Sequence, residues 1–252
     1  TTFNHAVGAS YKLPFDKLPL VDFISADARY SGTFRWDRAP FTQDTLGHTI
    51  QNSRQVQLTV QANFETLYNK SEKLKAINQG KKDSKKDDKK GKDDPDKKDG
   101  FGEDLKPKKE KEEKFNFGNS ALRFLMMIRN VNYTYTRNEG ILLPGYNRKT
   151  KISGFDSDFS GPGANFLVGG QNTDIWGNDT GNNYALDAAN NGWLYQQPYL
   201  NNQYNETYSE TWNYKVNLEP IKYLKIEITG NKTEGRNENS FFRFDENNNE
   251  FT

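Results

Sequence analysis

Apolar and polar side chains alternate with a period of two over several stretches of the chain, the repeat of an extended strand and not of a helix. The longest unbroken run covers 55–64, where Val56, Leu58, Val60, Ala62 and Phe64 alternate with Gln55, Gln57, Thr59, Gln61 and Asn63. A helix would bring Val56 against Thr59 and Val60 and mix the two sets. The same repeat places Ile24, Ala26, Ala28, Tyr30, Phe34 and Trp36 against Ser25, Asp27, Arg29, Ser31, Thr33 and Arg35. Near the C-terminus Trp212, Tyr214, Val216 and Leu218 alternate with Thr211, Asn213, Lys215 and Asn217, and Leu224, Ile226 and Ile228 follow in the second arm of a hairpin. Val7, Ala9, Tyr11 and Leu13 give a weaker first strand. Over 121–137 the phase changes, from Leu122, Phe124, Met126 and Ile128 to Val131, Tyr133 and Tyr135. A bulge near Arg129 reconciles the two phases, and a short helix over 121–128 is the alternative.

The pattern predicts an all-β fold: an antiparallel up-and-down sheet of six strands, at about 3–13, 20–37, 54–68, 119–137, 204–218 and 223–236. In such a meander the odd connections share one edge. The first and fifth are tight and carry Pro14, Pro19 and Pro220, and the third is a Lys/Asp block. The fourth connection, on the opposite edge, is long and rich in Gly, Asn and aromatic residues. Short turns on one rim and large structured loops on the other are the asymmetry of a transmembrane β-barrel. The apolar face carries its rings near strand ends, with Tyr30, Phe34 and Trp36, then Phe64 and Tyr68, then Trp212 and Tyr214, as in the girdles where rings meet lipid headgroups. Gln55, Gln57, Gln61, Asn63, Asp27 and Arg29 on the other face are candidates for a water-filled lumen. Asp22, in phase with Ile24, must then lie at or beyond the periplasmic interface, where a lipid-facing charge costs little.

Composition narrows the classes further. The chain has 252 residues, no cysteine and two histidines, which excludes a disulfide scaffold and any cysteine-ligated metal site. A mean hydropathy of −1.01 is low for a globular protein, yet 13% of the residues are aromatic, which disordered chains lack. The densest apolar run, 121–128, is broken by Arg123, so no helix of the roughly 18 or more apolar residues needed to cross a bilayer is present. Charge is unevenly placed: 70–114 holds 17 lysines and 13 acidic residues, and the remainder is about three units negative. Such a mixed-sign block buries too little apolar area to offset chain ordering, so a solvated, disordered insertion is expected. Its interleaved acids repel phosphate, and no nucleic-acid partner is expected.

Little of the sequence points to chemistry. His5 and His48 are far apart and carry no ligand or triad spacing. The run Asp156, Asp158, Ser160, Gly161 mimics the start of a calcium loop, but the twelfth position is Leu167 where the pattern needs Glu, so an Asx-rich turn is the plainer reading. No catalytic, cofactor-binding or metal-ligating residue is assigned, and no cofactor or enzymatic activity is expected.

Several stretches resemble the SprA family, also called Sov, the outer-membrane translocon of the type IX secretion system of Bacteroidota. They are Leu143-Pro144-Gly145-Tyr146, the run from Gly154 to Gly163, the run from Phe166 to Gln171, Trp193-Leu194, and Tyr208-Ser209-Glu210-Thr211-Trp212-Asn213-Tyr214 leading into Leu218-Glu219-Pro220. The resemblance implies an interior piece of a very large barrel that exports folded proteins and serves gliding motility. It implies as partners secreted cargo, a PorV-like shuttle, a plug protein and the lipid of a Gram-negative outer membrane. The expected division is 1–69 for barrel strands one to three, 70–117 for a periplasmic charged insertion, and 118–138 for strand four. A long extracellular loop follows over 139–203, then strands five and six with the start of the next loop over 204–252. Two other readings stay open: another outer-membrane barrel such as a TonB-dependent transporter or porin, and a soluble cell-surface β-protein that binds carbohydrate through its Trp and Tyr side chains.

Overall fold

A computed structural model of the chain describes residues 1–72, 74–75, 126–221, 223–245, 248 and 250–251. The alternating segments become β1 (Thr2–Leu13), β2 (Ile24–Asp37), β3 (His48–Asn63), β4 (Ile128–Tyr146), β5 (Tyr204–Ile221) and β6 (Leu224–Ser240). They form one antiparallel sheet in sequence order, each strand paired with the next. β1 and β6 are its edges and do not pair with each other, so the sheet is open. A separate two-stranded ladder joins β7 (Phe244–Asp245) to β8 (Glu250–Phe251). It brings Phe251 into a stack with Phe242, which lies 6.5 Å from Tyr204 at the start of β5.

The change of phase in β4 is a bulge: the register with β5 shifts between Ile128 and Asn130, leaving Arg129 as the extra residue. Arg129 Nε reaches Glu219 Oε2 at 3.1 Å. Strand boundaries differ from the expected ones in ways the local chemistry explains. β3 does not run to 68. Asn63 caps a short helix, α1 (Phe64–Asn69), by accepting the Glu65 N–H at 3.1 Å, and Tyr68 donates to Ile128 O at 3.0 Å to hold that helix on β4. Asp22 lies in the turn before β2 and not on a strand, where it pairs with Lys70. β3 begins at His48 and β4 continues to Tyr146, so both are longer at the loop-bearing rim than the apolar alternation shows. The fourth connection is not all loop. It contains α2 (Ala164–Leu167) and α3 (Tyr184–Asn190), the latter capped by Asn183, whose side chain accepts the Leu186 N–H at 3.1 Å. The charged insertion over 70–117 and the alternative helix over 121–128 lie almost wholly outside the described residues.

The core sits at one end of one face. There the 147–203 excursion folds back on the sheet, packing Phe166, Leu167, Ala185, Ala188, Trp193 and Leu194 against Phe34, Trp36, Ile50, Ile141, Leu143 and Tyr146. Burying a side chain of this size contributes about 1.5–3 kcal/mol. Inside the excursion Phe166 stacks on Tyr184 with centroids 3.9 Å apart.

Candidate functional site, a two-faced wall with a seated loop

Register sorts every strand residue onto one of two faces. Rungs such as Ala28–Leu58–Tyr135–Trp212, Ala26–Val60–Tyr133–Tyr214 and Ala62–Val131–Val216–Ile228 run across the sheet. They form a continuous apolar belt, extended on β1 by Tyr11 and Leu13 and on β6 by Leu224 and Ile226. Among the described residues no second layer packs on this belt. Tyr11, Tyr214, Leu224, Ile226 and Ile228 are exposed there. The belt segment runs from Trp212 to Ile221 on β5, ten residues against the roughly 9–11 of a tilted membrane strand, and from Val56 to Asn63 on β3, eight residues before α1. Tyr30, Tyr135 and Trp212 border the belt toward the loop, and Phe23, Phe64 and Tyr68 border it at the turns, with Phe23 and Phe64 in ring contact at 5.4 Å.

The opposite face is of another kind. On β3 and β4 it reads Thr49, Gln51, Ser53, Gln55, Gln57, Thr59, Gln61 and Asn63, then Asn130, Asn132, Thr134, Thr136 and Asn138, with no charge and no ring. No aromatic residue lies on this face of any of the six strands. The lumen candidates Gln55, Gln57, Gln61, Asn63, Asp27 and Arg29 all fall on it.

Above the belt, on the same face, the apolar series is interrupted by Asn52, Arg54, Arg137 and Glu139, and this polar patch is the seat of the excursion. Asn52 Nδ2 donates to Phe166 O at 3.2 Å and Gly170 O at 2.6 Å, and Gln171 Nε2 donates to Asn52 Oδ1 at 2.9 Å. Arg54 Nε and Nη2 donate to Glu139 Oε2 at 2.9 and 2.6 Å, and Arg137 Nε donates to the same oxygen at 3.2 Å. All three side chains are buried. Two guanidinium groups and one carboxylate leave one excess positive charge, and carbonyl dipoles of the excursion answer it. Arg54 Nη2 donates to Thr173 O at 3.1 Å and Asp174 O at 2.7 Å, Arg137 Nη2 donates to Asp174 O at 3.0 Å and to Ile175 O, and Thr173 Oγ1 donates to Glu139 Oε1. Next to this clamp Tyr30 donates its hydroxyl to Val168 O at 2.8 Å. Phe34 and Trp36, expected among girdle rings, are instead buried beneath the excursion, and Trp36 Nε1 donates to Arg148 O at 3.1 Å.

The excursion carries two Asx turns. Asp156 Oδ1 accepts the backbone N–H groups of Asp158 and Ser160 at 3.2 and 3.0 Å, and Oδ2 accepts the Ser160 hydroxyl at 3.0 Å and Arg148 Nη1 at 3.2 Å. Burial works to raise the pKa of Asp156, but the hydrogen bonds from Ser160, Gly161 and Asp158 outweigh it and hold it below 3.8. The calcium-like run is thus an Asx turn closed by an arginine, with both carboxylate oxygens engaged. In the second turn Asp174 accepts the Trp176 and Asn178 N–H groups and the Asn178 side chain, and the Asn178 bonds lower its pKa first of all. Burial raises the pKa of Tyr184 well above 10, so its phenol stays protonated and donates to Pro162 O at 2.9 Å. The histidines serve packing: His5 Nε2 donates to Leu167 O at 2.8 Å, and His48 Nδ1 accepts the Ala39 N–H at 3.0 Å. No group of three or more His, Asp or Glu among the described residues is arranged to hold a metal.

The clamp of Arg54, Arg137 and Glu139 is what the strand pattern alone missed. Its trace in the sequence is positional: Arg54 keeps the phase of Val56 and Leu58, and Arg137 and Glu139 keep that of Tyr133 and Tyr135. No protein-family model matches the chain, and no curated protein sequence matches it.

Proposed function

We propose that this chain is a stretch of the wall of a large outer-membrane β-barrel in a Gram-negative bacterium, and that the barrel is a protein-conducting channel of type IX secretion that also serves gliding motility. The observation that carries the reading is the contrast between the two faces. One bears an apolar belt that runs from β1 to β5 and continues on β6 at Leu224, Ile226 and Ile228, and the other is polar on every strand, with amides and hydroxyls alone on β3 and β4. Monomeric soluble proteins rarely leave so broad an apolar surface uncovered, and lipid covers it at no cost. The resemblance to the SprA family supports the choice of a translocon among barrels, and the polar face supports it independently. The face carries no ring, and on β3 and β4 no charge, so a passing protein meets no stacking platform there and charge only toward the sheet's outer strands. A sugar-conducting porin or a carbohydrate-binding surface would place rings where the solute runs.

In this reading the open edges β1 and β6 pair with further strands of the same barrel. The pore face meets secreted cargo, and a PorV-like shuttle and a plug protein act on the assembled channel. The test is to delete the encoding gene in its host and follow folded cargo. Cargo accumulating in the periplasm while other outer-membrane proteins remain in place supports the reading; undiminished export refutes it.

A further inference from the structure

Resting on the wall reading, we propose that the tip of the excursion, Ile175 and Trp176, is a lipid anchor seated in the headgroup region of the outer leaflet at the border of the belt. The segment leading to the tip descends the wall toward the belt. Asn172 Nδ2 donates to Glu206 Oε2 at 3.1 Å. Thr173 Oγ1 bonds Glu139, whose rung partner is Tyr208, the next same-face residue below Glu206. Ile175 O accepts from Arg137, whose rung partner is Glu210, one step lower again. The rung that follows is Tyr135–Trp212, the first of the belt. At this height the chain reverses: Gly177 takes φ +89°, its N–H bonds Asp174 O at 3.2 Å, and Thr173 bridges Asp179. Ile175 is thus held on the rung of Arg137, the same rung whose Tyr30 holds Val168 O, and Trp176 follows it at the reversal.

Their exposure is 53% and 78%. The excursion exposes other apolar side chains too, Ile152, Phe159 and Tyr199 among them, but the bonds from Arg137 on the belt-side rung set Ile175 and Trp176 beside the belt. The clamp holds the segment through the Thr173 hydroxyl and the carbonyls of Thr173, Asp174 and Ile175, which fixes its height and leaves the Ile175 and Trp176 side chains uncovered. The surroundings have the chemistry of a membrane interface, where amphipathic rings and long cations meet headgroups. Lys232 Nζ lies 5.1 Å from the Trp212 ring, and Tyr135 and Tyr208 both donate to Glu210 at 2.5 Å just above the belt. Continuity with the belt decides for lipid against a protein groove as the partner.

The chain contributes no cysteine, and the test uses a background in which any cysteine elsewhere in the protein is replaced by serine. Single variants Trp176→Cys, Trp212→Cys and Leu186→Cys in the full protein are labelled with a nitroxide in nanodiscs of phosphatidylethanolamine and phosphatidylglycerol. Collision rates with oxygen and with a water-soluble nickel chelate then give the depth of each label. The proposal expects hydrocarbon depth at 212, aqueous exposure at 186, and headgroup depth at 176. Hydrocarbon depth at 212 with 176 as aqueous as 186, or with 176 shielded from both reagents as under a protein partner, overturns the anchor and leaves the wall reading standing. An aqueous label at 212 overturns both.

Discussion

The carbonyl oxygen of Val168 occupies the space that a side chain on Gly32 would fill: a Cβ built on Gly32 would stand 1.9 Å from that oxygen and 2.6 Å from its carbon. The obstruction is backbone, so it cannot swing aside. Gly32 breaks the apolar series of β2 between Tyr30 and Phe34 because the excursion is laid directly on the strand there. Gly32→Val should lift the 166–171 segment, at the roughly 1–3 kcal/mol typical of overpacking. Hydrogen exchange should show lost protection at 166–171 with unchanged protection across β3 and β4, and unchanged exchange at 166–171 would refute the seating.

Among the described residues, Glu139 is the carboxylate hydrogen-bonded to both Arg54 and Arg137. Glu139→Ala leaves two buried guanidinium groups facing one another, and removing one partner of a buried ionic cluster costs about 3–5 kcal/mol. The expected result is protease cleavage within 172–180 that the parent protein resists. Glu227→Ala, which removes only the exposed pair with Lys215, should change stability by less than about 1 kcal/mol.

The Asp156 turn makes a pH-dependent contribution. Its pKa is depressed on folding, so the stabilisation is complete at neutral pH and is lost as the pH falls below 3.8 and through the depressed value. The protection factors at Asp158 and Ser160, observed exchange divided into the intrinsic rate at each pH, should therefore fall in acid below about pH 4. In Asp156→Asn the protection factors should be lower already at pH 7 and stay constant over that range.

How much of this was legible in the sequence varies with what fixes each part. Strand identity, order and the sorting of faces follow from period two, because a half-buried sheet writes its burial into alternate positions. The bulge at Arg129 is legible from the change of phase. The loop-side ends of β3 and β4 are not, because Asn52, Arg54, Arg137 and Glu139 are polar at positions where the pattern demands apolar residues. Their partners, Gln171, Thr173 and the carbonyls that follow, lie more than thirty residues away in sequence. The end of β3 at Asn63 left a local sign that the alternation overrode: an Asn followed by Glu65 in a first helical turn. Phe34 and Trp36 were legible as rings of the apolar face but were expected in a girdle against headgroups, since their covering by protein depends on the fold of the distant excursion.

If the polar face lines a pore, as proposed, the lack of charge on β3 and β4 gives a prediction about transport. Gln57→Glu with Gln61→Glu leaves the belt untouched, so the amount of assembled barrel should not change. Export of acidic cargo should slow relative to basic cargo through charge repulsion along the pore wall. Equal effects on both cargo classes would argue against these residues lining the path.

The most direct measurement compares arginine on the two faces at the same height of one strand. Leu58→Arg and Val60→Arg place the charge on the belt, and Gln57→Arg and Gln61→Arg place it on the polar face. Folding free energies of the full protein in lipid vesicles should fall by about 2–4 kcal/mol for each belt arginine near the midplane. The polar-face arginines should stay within about 0.5 kcal/mol of the parent. Equal losses on the two faces, or a parent protein that folds as a monomer in buffer without lipid or detergent, would contradict a wall with lipid on one side and water on the other.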